Sequence, residues 1–392
     1  MAYRGCSPMA DGTAIALLER LVSFPTVAGE SNEELVAWVA ERLEGAGAAV
    51  RILPGPRPDG HGLHAVFGPA DVPGVLLSAH TDVVSAEGQA WTHDPYVLHA
   101  VGGRLVGRGT TDMKGFIAAL LAVVQEIRAA ALREPLHVAL SADEELGCLG
   151  TPSLLDGLAG IAEPRWCLVG EPTGMRVVER HKGKVGLRVA VSGLACHSSR
   201  APEGVNAVEA AARLIVRLGA LRDELHAAAT DDRFGIPHAT LSVGPIRGGT
   251  ALNVVPDACT FDVEARSLPT QDPGSIEAAV RRMAGELEAE LRADAAVCRV
   301  AVTALAGYPA LAEAPLQAAS VEVAALAGGG RDGSADFGTE AGLLQQALRV
   351  PVVVCGPGDM IQAHVADEFL EVEQLRRAEN FLRRLAGSLG IP

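Results

Sequence analysis

The chain has 392 residues, with 48 acidic against 33 basic side chains, which gives a formal net charge of −15. At about 150 residues per domain this length allows two or three folded units, and an apolar fraction of 48% excludes a disordered chain. The acidic excess argues against nucleic acid or an anionic membrane as a partner, because both are bound largely through Lys and Arg.

The N-terminus and the cysteines bear on the cellular compartment. No run reaches the ~18 uninterrupted apolar residues that a spanning helix needs. The apolar stretch 14–18 is flanked by Asp11 and Glu19, too short and too acidic for a signal peptide, so we expect a cytoplasmic protein. The cysteines contain no C-x-x-C pair, which predicts neither a disulfide framework nor a thiolate zinc site, and we expect most to be small buried side chains. The seven cysteines are Cys6, Cys148, Cys167, Cys196, Cys259, Cys298 and Cys355.

Short apolar runs alternate with helical patterns along the first part of the chain, which predicts an α/β domain with a mostly parallel sheet. The predicted helix covers residues 113–130, directly after Asp112. Continuous apolar runs are typical of strands buried on both faces, and they fall at residues 74–79, 136–141, 166–169 and 350–355. Each of these strands runs into polar residues or glycines. Because ligands of open α/β sheets bind beyond the carboxyl ends of the strands, these polar residues can converge in space.

The segment 177–303 has a different pattern. Alternating residues predict strands with one solvated face, and the segment also contains helical patterns over 205–220 and 276–292. The predicted strands cover residues 184–191, 239–243, 257–265 and 297–303. We therefore expect a small α+β domain, an antiparallel sheet with two helices, inserted into an α/β domain formed by residues 1–176 and 304–392.

Seven histidines and acidic residues form a constellation of nitrogen and oxygen ligands of the kind that binds zinc or a similar divalent ion. They are His80, Asp82, Asp112, Glu144, Glu145, Glu171 and His364. Burying five carboxylates together without a cation would cost several kcal/mol for each charge. Two imidazoles and three carboxylates suffice for a two-metal site with one bridging carboxylate, which leaves one carboxylate to orient a histidine and one to act as a base.

Eight ordered strings carry a family resemblance: LLSAHTDVV, GRGTTDMKG, SADEELG, VGEPT, HKG, CHSSRAPEGVNAVE, GGTALNVVPDA and QAHVADEFLE. Together they resemble the dinuclear zinc amidohydrolase and peptidase family, which includes acetylornithine deacetylase, succinyl-diaminopimelate desuccinylase, aminoacylase and several carboxypeptidases. The resemblance runs from about residue 15 to the C-terminus. It implies metal-assisted hydrolysis of an amide bond, two Zn²⁺ per subunit with Co²⁺ as a substitute, and a small-molecule N-acyl amino acid as substrate.

The resemblance also implies individual roles for the metal ligands. His80 and Glu171 resemble the ligands of one zinc, Glu145 and His364 those of the other, and Asp112 the bridge between the two ions.

Two further carboxylates resemble catalytic residues of the family. Asp82 resembles the carboxylate that fixes the ring of His80. Glu144 resembles the general base that takes a proton from the attacking water and gives it to the departing amine.

Three residues of the inserted segment have implied roles in catalysis, substrate binding and assembly, and a fourth departs from the family pattern. His197 resembles the family histidine that donates to the oxyanion from the small domain of a partner subunit, which implies a homodimer joined through this domain. Arg266 resembles the arginine that grips a substrate carboxylate, and Asn253 its hydrogen-bonding neighbour. Cys196 is a departure, because relatives usually place Gly before this histidine.

Three strings favour the acetylornithine deacetylase branch of the family: residues 180–183 (RHKG), 338–341 (GTEA), and 356–358 (GPG) with 362–364 (QAH). Glu340 is an extra carboxylate that could pair with a cationic substrate amine. Succinyl-diaminopimelate desuccinylase, acetylcitrulline deacetylase and a broader aminoacylase or carboxypeptidase are the alternatives within the family. A catalytically inactive binding relative is the alternative from another class.

Overall fold

The structure is a computed structural model that describes residues 13–127, 132–314 and 318–390. Cys6 therefore lies outside the described residues, and so do residues 128–130 of the predicted helix. The described residues divide into two compact units. One lies within Met1–Arg180, Glu313–Gly333 and Thr339–Pro392, and the other within His181–Ala312 and Ser334–Gly338.

The strands in the described part of the chain, in order, are β1 Ala49–Pro54, β2 His61–Phe67, β3 Val75–His80, β4 His99–Val101, β5 Arg104–Val106, β6 Leu136–Ser141, β7 Trp166–Val169, β8 Val177–His181, β9 Gly183–Ser192, β10 Thr240–Gly248, β11 Ala258–Ser267, β12 Arg299–Tyr308, β13 Arg331–Ala335, β14 Val352–Val354 and β15 Phe369–Glu371. The helices are α1 Ala14–Val22, α2 Glu33–Gly45, α3 Gly115–Ile127, α4 Thr151–Gly157, α5 Ala207–Ala228, α6 Pro273–Asp294, α7 Ala318–Ala327, α8 Ala341–Leu348 and α9 Val372–Leu389.

The main sheet has the strand order β1-β2-β6-β3-β7-β14-β8-β13. The four central strands β6, β3, β7 and β14 run parallel, whereas β2 pairs with β6, and β8 with β14, in the antiparallel sense. Every residue of β3, β6 and β7 is buried, as expected of strands covered on both faces. The predicted fold class, α/β with a mostly parallel sheet, is confirmed. The antiparallel outer pairings were not predicted.

Helix α3 lies in the core of the first unit, and residues 115–124 are apolar and buried on every face of the helix. It packs against α1 and α9, and α9 presents a clear apolar stripe to this core. A helix that is apolar all round must be covered on every side. Residues 113 and 114, predicted as helical, belong instead to a wide turn, Thr110–Lys114, that precedes α3.

The second unit is an antiparallel sheet in the order β10-β11-β9-β12 with α5 and α6 packed against it. Burial alternates along β11, as the period-two pattern predicts. The side chains of Asn206 and Asp272 cap α5 and α6 by accepting from backbone N–H groups of the first turn. The predicted inserted antiparallel sheet with two helices is therefore present.

Several elements of the second unit extend beyond their predicted bounds. β10 runs to Gly248 because a register shift between Val243 and Ile246 absorbs the interruption at 244–245. β12 runs to Tyr308 through a similar shift between Ala304 and Gly307. α5 continues to Ala228, although its last two turns are largely exposed and lack the apolar spacing that indicated the helix.

No helix in the described ranges is both long and apolar enough to cross a membrane. Five of the six cysteines that fall in these ranges are buried, and Cys196 is partly exposed, in agreement with the prediction that most would be buried.

Candidate metal centre

The ends of the central parallel strands deliver the candidate ligands to one edge of the main sheet. His80 is the last residue of β3, Glu144 and Glu145 follow β6, and Glu171 follows β7. Asp112 arrives on the loop before α3. That loop turns at Gly109, where φ is +80° and an added Cβ would lie 2.6 Å from Val83 Cγ1, so only glycine fits there.

Asp112 lies between two histidines and presents one carboxylate oxygen to each. Its Oδ1 is 3.0 Å from His80 Nε2, and its Oδ2 is 3.0 Å from His364 Nε2. His80 belongs to the central sheet and His364 to a loop before the C-terminal helix, more than 280 residues away. A carboxylate placed in this way can bridge two metal ions, each with its own imidazole.

Each half of this centre contains a further carboxylate. Glu171 Oε1 lies 3.6 Å from His80 Nε2, and Glu145 Oε1 lies 3.0 Å from His364 Nε2. Within the described chain, His80, Asp112 and Glu171 form one group and Asp112, Glu145 and His364 a second, each with its ligand atoms within 4.8 Å of one another. All five predicted ligands thus lie together, arranged as two triads that share Asp112.

Asp82 organises both the ring of His80 and the turn that follows β6. Its backbone carbonyl accepts from His80 Nδ1 at 2.9 Å, while its carboxylate Oδ1 is 3.6 Å from that nitrogen. Because a carbonyl can only accept, Nδ1 carries a proton, so that in a metal-loaded protein the other nitrogen, Nε2, would be free to act as a ligand. The Asp82 carboxylate accepts from the backbone N–H groups of Glu144 and Glu145, each at 3.1 Å. Asp82 therefore orients His80 mainly through its main chain, and its carboxylate fixes the Glu144–Glu145 turn.

Glu144 is buried next to the candidate ligands without belonging to either triad. Its Oε1 accepts from the thiol of Cys148 at 3.2 Å. Burial raises the pKa of Glu144 to about 8, although the nearby positive charge of His80 acts in the opposite direction. A carboxyl whose pKa lies near neutrality can both take up and release a proton at physiological pH, as a general acid–base requires.

The electrostatics of the five candidate ligands fit a pair of divalent cations. Burial raises the pKa of Glu171 well above the ordinary value, and the charge of Asp112 adds to this. Hydrogen bonds to Asp112 and Glu145 raise the pKa of His364 to about 10. For His80, burial lowers the pKa, but contacts with Asp112 and Glu171 outweigh it and leave the value well above normal. Without metal, protonated imidazoles therefore supply the positive charge that cations would otherwise supply.

One atom gives an independent test of this fit. Glu171 Oε2 is buried and has no hydrogen-bond partner among the described residues. A buried carboxylate oxygen left without a donor costs free energy that a nearby cation would recover. The donor set of imidazole nitrogens and carboxylate oxygens suits Zn²⁺ and similar divalent ions.

The second unit brings together two of its three predicted site residues, the catalytic candidate His197 and the substrate-binding candidate Asn253. His197 is exposed and pairs with Val254 in an isolated β-bridge, and the N–H of Ser198 donates to the carbonyl of Asn253 at 2.9 Å. The backbone N–H of Ser199 donates to His197 Nδ1 at 3.2 Å. Since Nδ1 accepts, the neutral ring carries its proton on Nε2 and can act as a donor through that atom.

Arg266 and Cys196 are also placed in the second unit. Arg266 is in β11, where its guanidinium donates to Tyr308 Oη at 2.8 Å and to Glu264 Oε1 at 2.9 Å. Cys196 is not among the residues with positive φ, so its position does not require the glycine that relatives usually have there. Its thiol donates to the carbonyl of Arg200 at 3.3 Å.

Glu340 is fully buried in the first unit, at the start of α8. Its Oε1 accepts from the Ser78 hydroxyl at 2.6 Å and its Oε2 from the Thr151 hydroxyl at 3.0 Å. Both oxygens thus have protein donors. Glu340 also contributes to the raised pKa of Glu144 through its negative charge.

Three residues that support the ligand loops were not identified from the sequence. Glu368 and Arg108 form a fully buried ion pair at 2.7 Å, and Gln89 connects Arg108 to the carbonyl of His364. Glu368 and Arg108 lie inside the strings QAHVADEFLE and GRGTTDMKG, so their motifs were visible, but their contacts depend on the tertiary structure.

The fold and the paired triads define a metal-dependent amidohydrolase, and comparison with known proteins agrees. Residues 76–388 match the family described as Peptidase family M20/M25/M40. The chain belongs to this family, whose members bind two metal ions. It is 31% identical to an acetylornithine deacetylase of Proteus mirabilis over 384 residues, covering 95% of this chain and 96% of the relative. It is 30% identical to the enzyme of the same name from Pasteurella multocida, covering 95% and 97%.

Solved structures support the fold. An M20-family metallo-carboxypeptidase from Sulfolobus solfataricus superposes with a TM-score of 0.78 at 15% identity, covering 95% of this chain and 98% of that one. A dinuclear metal-binding M20 peptidase from Bacillus subtilis gives a TM-score of 0.65 at 18% identity, covering 96% and 97%.

Proposed function

We propose that this protein hydrolyses the amide bond of an N-acyl-L-amino acid, with N2-acetyl-L-ornithine as substrate and L-ornithine and acetate as products. The observation that carries the reaction class is the pair of ligand triads sharing Asp112, with buried Glu144 beside them. The deacetylase relatives and the strings at 180–183, 338–341 and 356–364 support the choice of substrate. The proposal places the enzyme in arginine biosynthesis, in the cytoplasm.

The five ligands would hold two Zn²⁺, for which Co²⁺ could substitute. When bound, such ions act as Lewis acids toward water and the acyl carbonyl. Asp112 would serve both ions, with His80 and Glu171 on one side and Glu145 and His364 on the other. The Asp82 carbonyl, which accepts from His80 Nδ1, would leave Nε2 of a neutral ring available to bind one ion.

Glu144 acts as the proton carrier in this proposal. Its carboxylate accepts the proton of the attacking water and then protonates the nitrogen of the departing amine, so that the enzyme returns to its initial state. The burial that raises its pKa makes both transfers accessible near neutral pH. The contact from Cys148 holds one carboxylate oxygen and leaves the other for the water.

Residues of the second unit complete the proposal. His197 would donate from Nε2 to the oxyanion of the tetrahedral state, while Arg266 and Asn253 bind the substrate carboxylate. We further propose that this unit joins two chains in a homodimer and that His197 acts on the site of the partner subunit. A mixed dimer of His197→Ala and Glu144→Ala chains then regains about one working site. A mixed dimer with no activity contradicts action across subunits.

A substrate panel tests the proposed specificity. Purified protein loaded with Zn²⁺ is assayed for kcat/KM on acetylornithine, acetylcitrulline, acetylmethionine and succinyl-diaminopimelate. Acetylornithine is expected to be the best substrate. Acetylcitrulline is the matched control, because its side chain is similar in length to that of acetylornithine but carries no charge. A preference for succinyl-diaminopimelate would reject the proposed substrate and leave the amidohydrolase class intact.

Glu340 has its own test within this panel. If its charge attracts the ornithine amine, Glu340→Gln lowers kcat/KM for acetylornithine more than for acetylcitrulline. Equal losses on both substrates indicate that Glu340 only anchors Ser78 and Thr151.

A further inference from the structure

A buried cluster of hydrogen bonds, centred on Glu368, lies behind the metal centre within the first unit. We propose that Glu368, Arg108 and Gln89 form a positioning network that sets Asp112 and His364 at the separation required to hold two metal ions. The proposal rests on the dinuclear centre and is independent of the substrate.

The carboxylate of Glu368 binds the loop that carries Asp112. Its Oε1 accepts from the backbone N–H groups of Thr111 at 2.9 Å and Asp112 at 3.1 Å. Its Oε2 accepts from the backbone N–H of Gly109 at 3.0 Å and from Arg108 Nη1 at 2.7 Å. Four donors thus converge on one side chain that is 1% exposed, and three of them are main-chain groups of the loop. The loop cannot move without breaking these bonds.

The same residue follows closely on the other ligand loop, because Glu368 is only four residues after His364. Its backbone carbonyl also accepts from the N–H of Gly107 at 2.9 Å. Glu368 therefore connects the Asp112 loop to the His364 loop through both its side chain and its main chain.

Gln89 makes the second connection. Its Oε1 accepts from Arg108 Nη2 at 2.5 Å and from Trp91 Nε1 at 3.0 Å, while its Nε2 donates to the carbonyl of His364 at 3.0 Å. His364 has φ +61°, a left-handed conformation that non-glycine residues adopt at a cost. The bond from Gln89 stabilises the backbone at this ligand.

The network has a chemical asymmetry that makes it testable. Glu368→Gln keeps the size of the side chain but replaces one acceptor oxygen by an NH₂ group. In either amide orientation, two of the four donors then face another donor. Gln89→Glu keeps the acceptor for Arg108 and Trp91, removes the donor to the His364 carbonyl and places a charged oxygen opposite that carbonyl.

The experiment measures Zn²⁺ affinity of chelator-stripped protein by competition with a chromophoric chelator, together with metal content per chain. Loss of a group that orients metal ligands commonly weakens metal binding about 10–100-fold. Glu368→Gln is expected to weaken both binding steps by this factor, because Asp112 is shared. Gln89→Glu is expected to weaken only one step, that of the ion held by Glu145 and His364.

Glu179→Gln is the matched control. Glu179 is a buried carboxylate of the first unit that pairs with Arg331 at 2.7 Å and contacts neither ligand loop. It should lose stability and keep the affinity of the unchanged protein for both ions.

The Zn²⁺ affinities distinguish failure of the positioning network from failure of the metal centre. If Glu368→Gln and Gln89→Glu both bind two Zn²⁺ as tightly as the unchanged protein, the network is merely structural and the proposal is wrong. If Glu368→Gln does not fold, the single-step effect of Gln89→Glu still decides the proposal. An unchanged protein that binds no Zn²⁺ would instead refute the metal centre itself.

Discussion

The buried pair His64 and His137 contributes stability to the first unit that is lost as the pH falls from 7 to 5. Groups with raised pKa values, such as Glu144, contribute in the opposite direction, so the prediction concerns the difference between variants rather than the net change. Both side chains are buried between neighbouring strands β2 and β6, and His64 Nε2 lies 3.0 Å from His137 Nδ1. Arg51 Nη2 lies 3.1 Å from His64 Nδ1. A guanidinium only donates, so Nδ1 of His64 must accept, and the ring donates from Nε2 to His137. A second proton on His64 would oppose Arg51.

The size of the effect follows from the pKa of His64. Burial, followed by the charges of His137 and Arg51, lowers this pKa from 6.5 to about 4. Burial also lowers the pKa of His137. In the unfolded chain His64 has its ordinary pKa of 6.5, so below that pH the unfolded chain binds more protons than the folded chain. The stability that His64 contributes above pH 6.5 is therefore lost progressively toward pH 4. Linkage gives a loss of up to about 2 kcal/mol between pH 7 and pH 5 for His64, an upper value because solvent screens the pair.

The assay compares urea unfolding of metal-free protein at pH 7 and pH 5. His64→Asn retains an oxygen near the Nδ1 position and removes the titrating ring. Relative to the unchanged protein, it should therefore be more stable at pH 5 than the comparison at pH 7 would indicate, by up to about 2 kcal/mol. Leu63→Ala, a buried change in the same strand, is the control. It should lower stability equally at both pH values. If stability changes by the same amount between pH 7 and pH 5 in His64→Asn and in the unchanged protein, the assignment of a neutral buried pair is refuted.

Three further predictions concern the metal centre and the second unit. Glu144→Gln is expected to lower kcat about 10²–10⁴-fold, because the proton carrier is removed. Metal content, measured by atomic emission, should stay at two ions per chain. Loss of metal would contradict the assignment of Glu144 as a residue that is not a metal ligand. Asp112→Asn is expected to weaken both ions, because an amide has one oxygen for two cations, and a variant that loses only one ion in the same measurement would argue against a bridge. Lys182→Met is expected to destabilise the second unit by about 2 kcal/mol, since two partly buried carbonyls lose hydrogen bonds from a charged donor. Lys182 Nζ donates to the carbonyls of Ile236 at 2.7 Å and His238 at 3.1 Å. Thermal unfolding checks this prediction, and an unchanged transition temperature would count against it.

The strand ends that carry the candidate metal ligands could be predicted from the sequence. The continuous apolar runs before His80 and Glu144 are strong local signals, because strands buried on both faces need apolar residues at every position. The polar residues that end them were therefore identifiable as neighbours in space. Their chemistry as nitrogen and oxygen ligands is a property of residue type and needs no coordinates.

The weaker predictions share one cause. The ends of α5 and β12 were missed because local patterns fade where an element is exposed or bulged, while backbone hydrogen bonds continue. The contacts of Glu340 with Ser78 and Thr151 were likewise not foreseen, because these partners lie on other elements of the fold, and the role of Glu340 toward a substrate amine stays a prediction. No local signal marks such partners.

The sequence by itself determined the α/β class, the inserted antiparallel sheet with its helices, and the residue types of a two-metal centre. Only the tertiary structure decided that each oxygen of Asp112 faces a different histidine and that Asp82 contacts His80 through its carbonyl. It also decided that Glu368, four residues after His364, binds the backbone of the Asp112 loop. The physical reason is that strand and helix patterns depend on neighbouring residues, whereas hydrogen bonds between residues 250 positions apart depend on the order of strands in the sheet and on how loops pack at its edge.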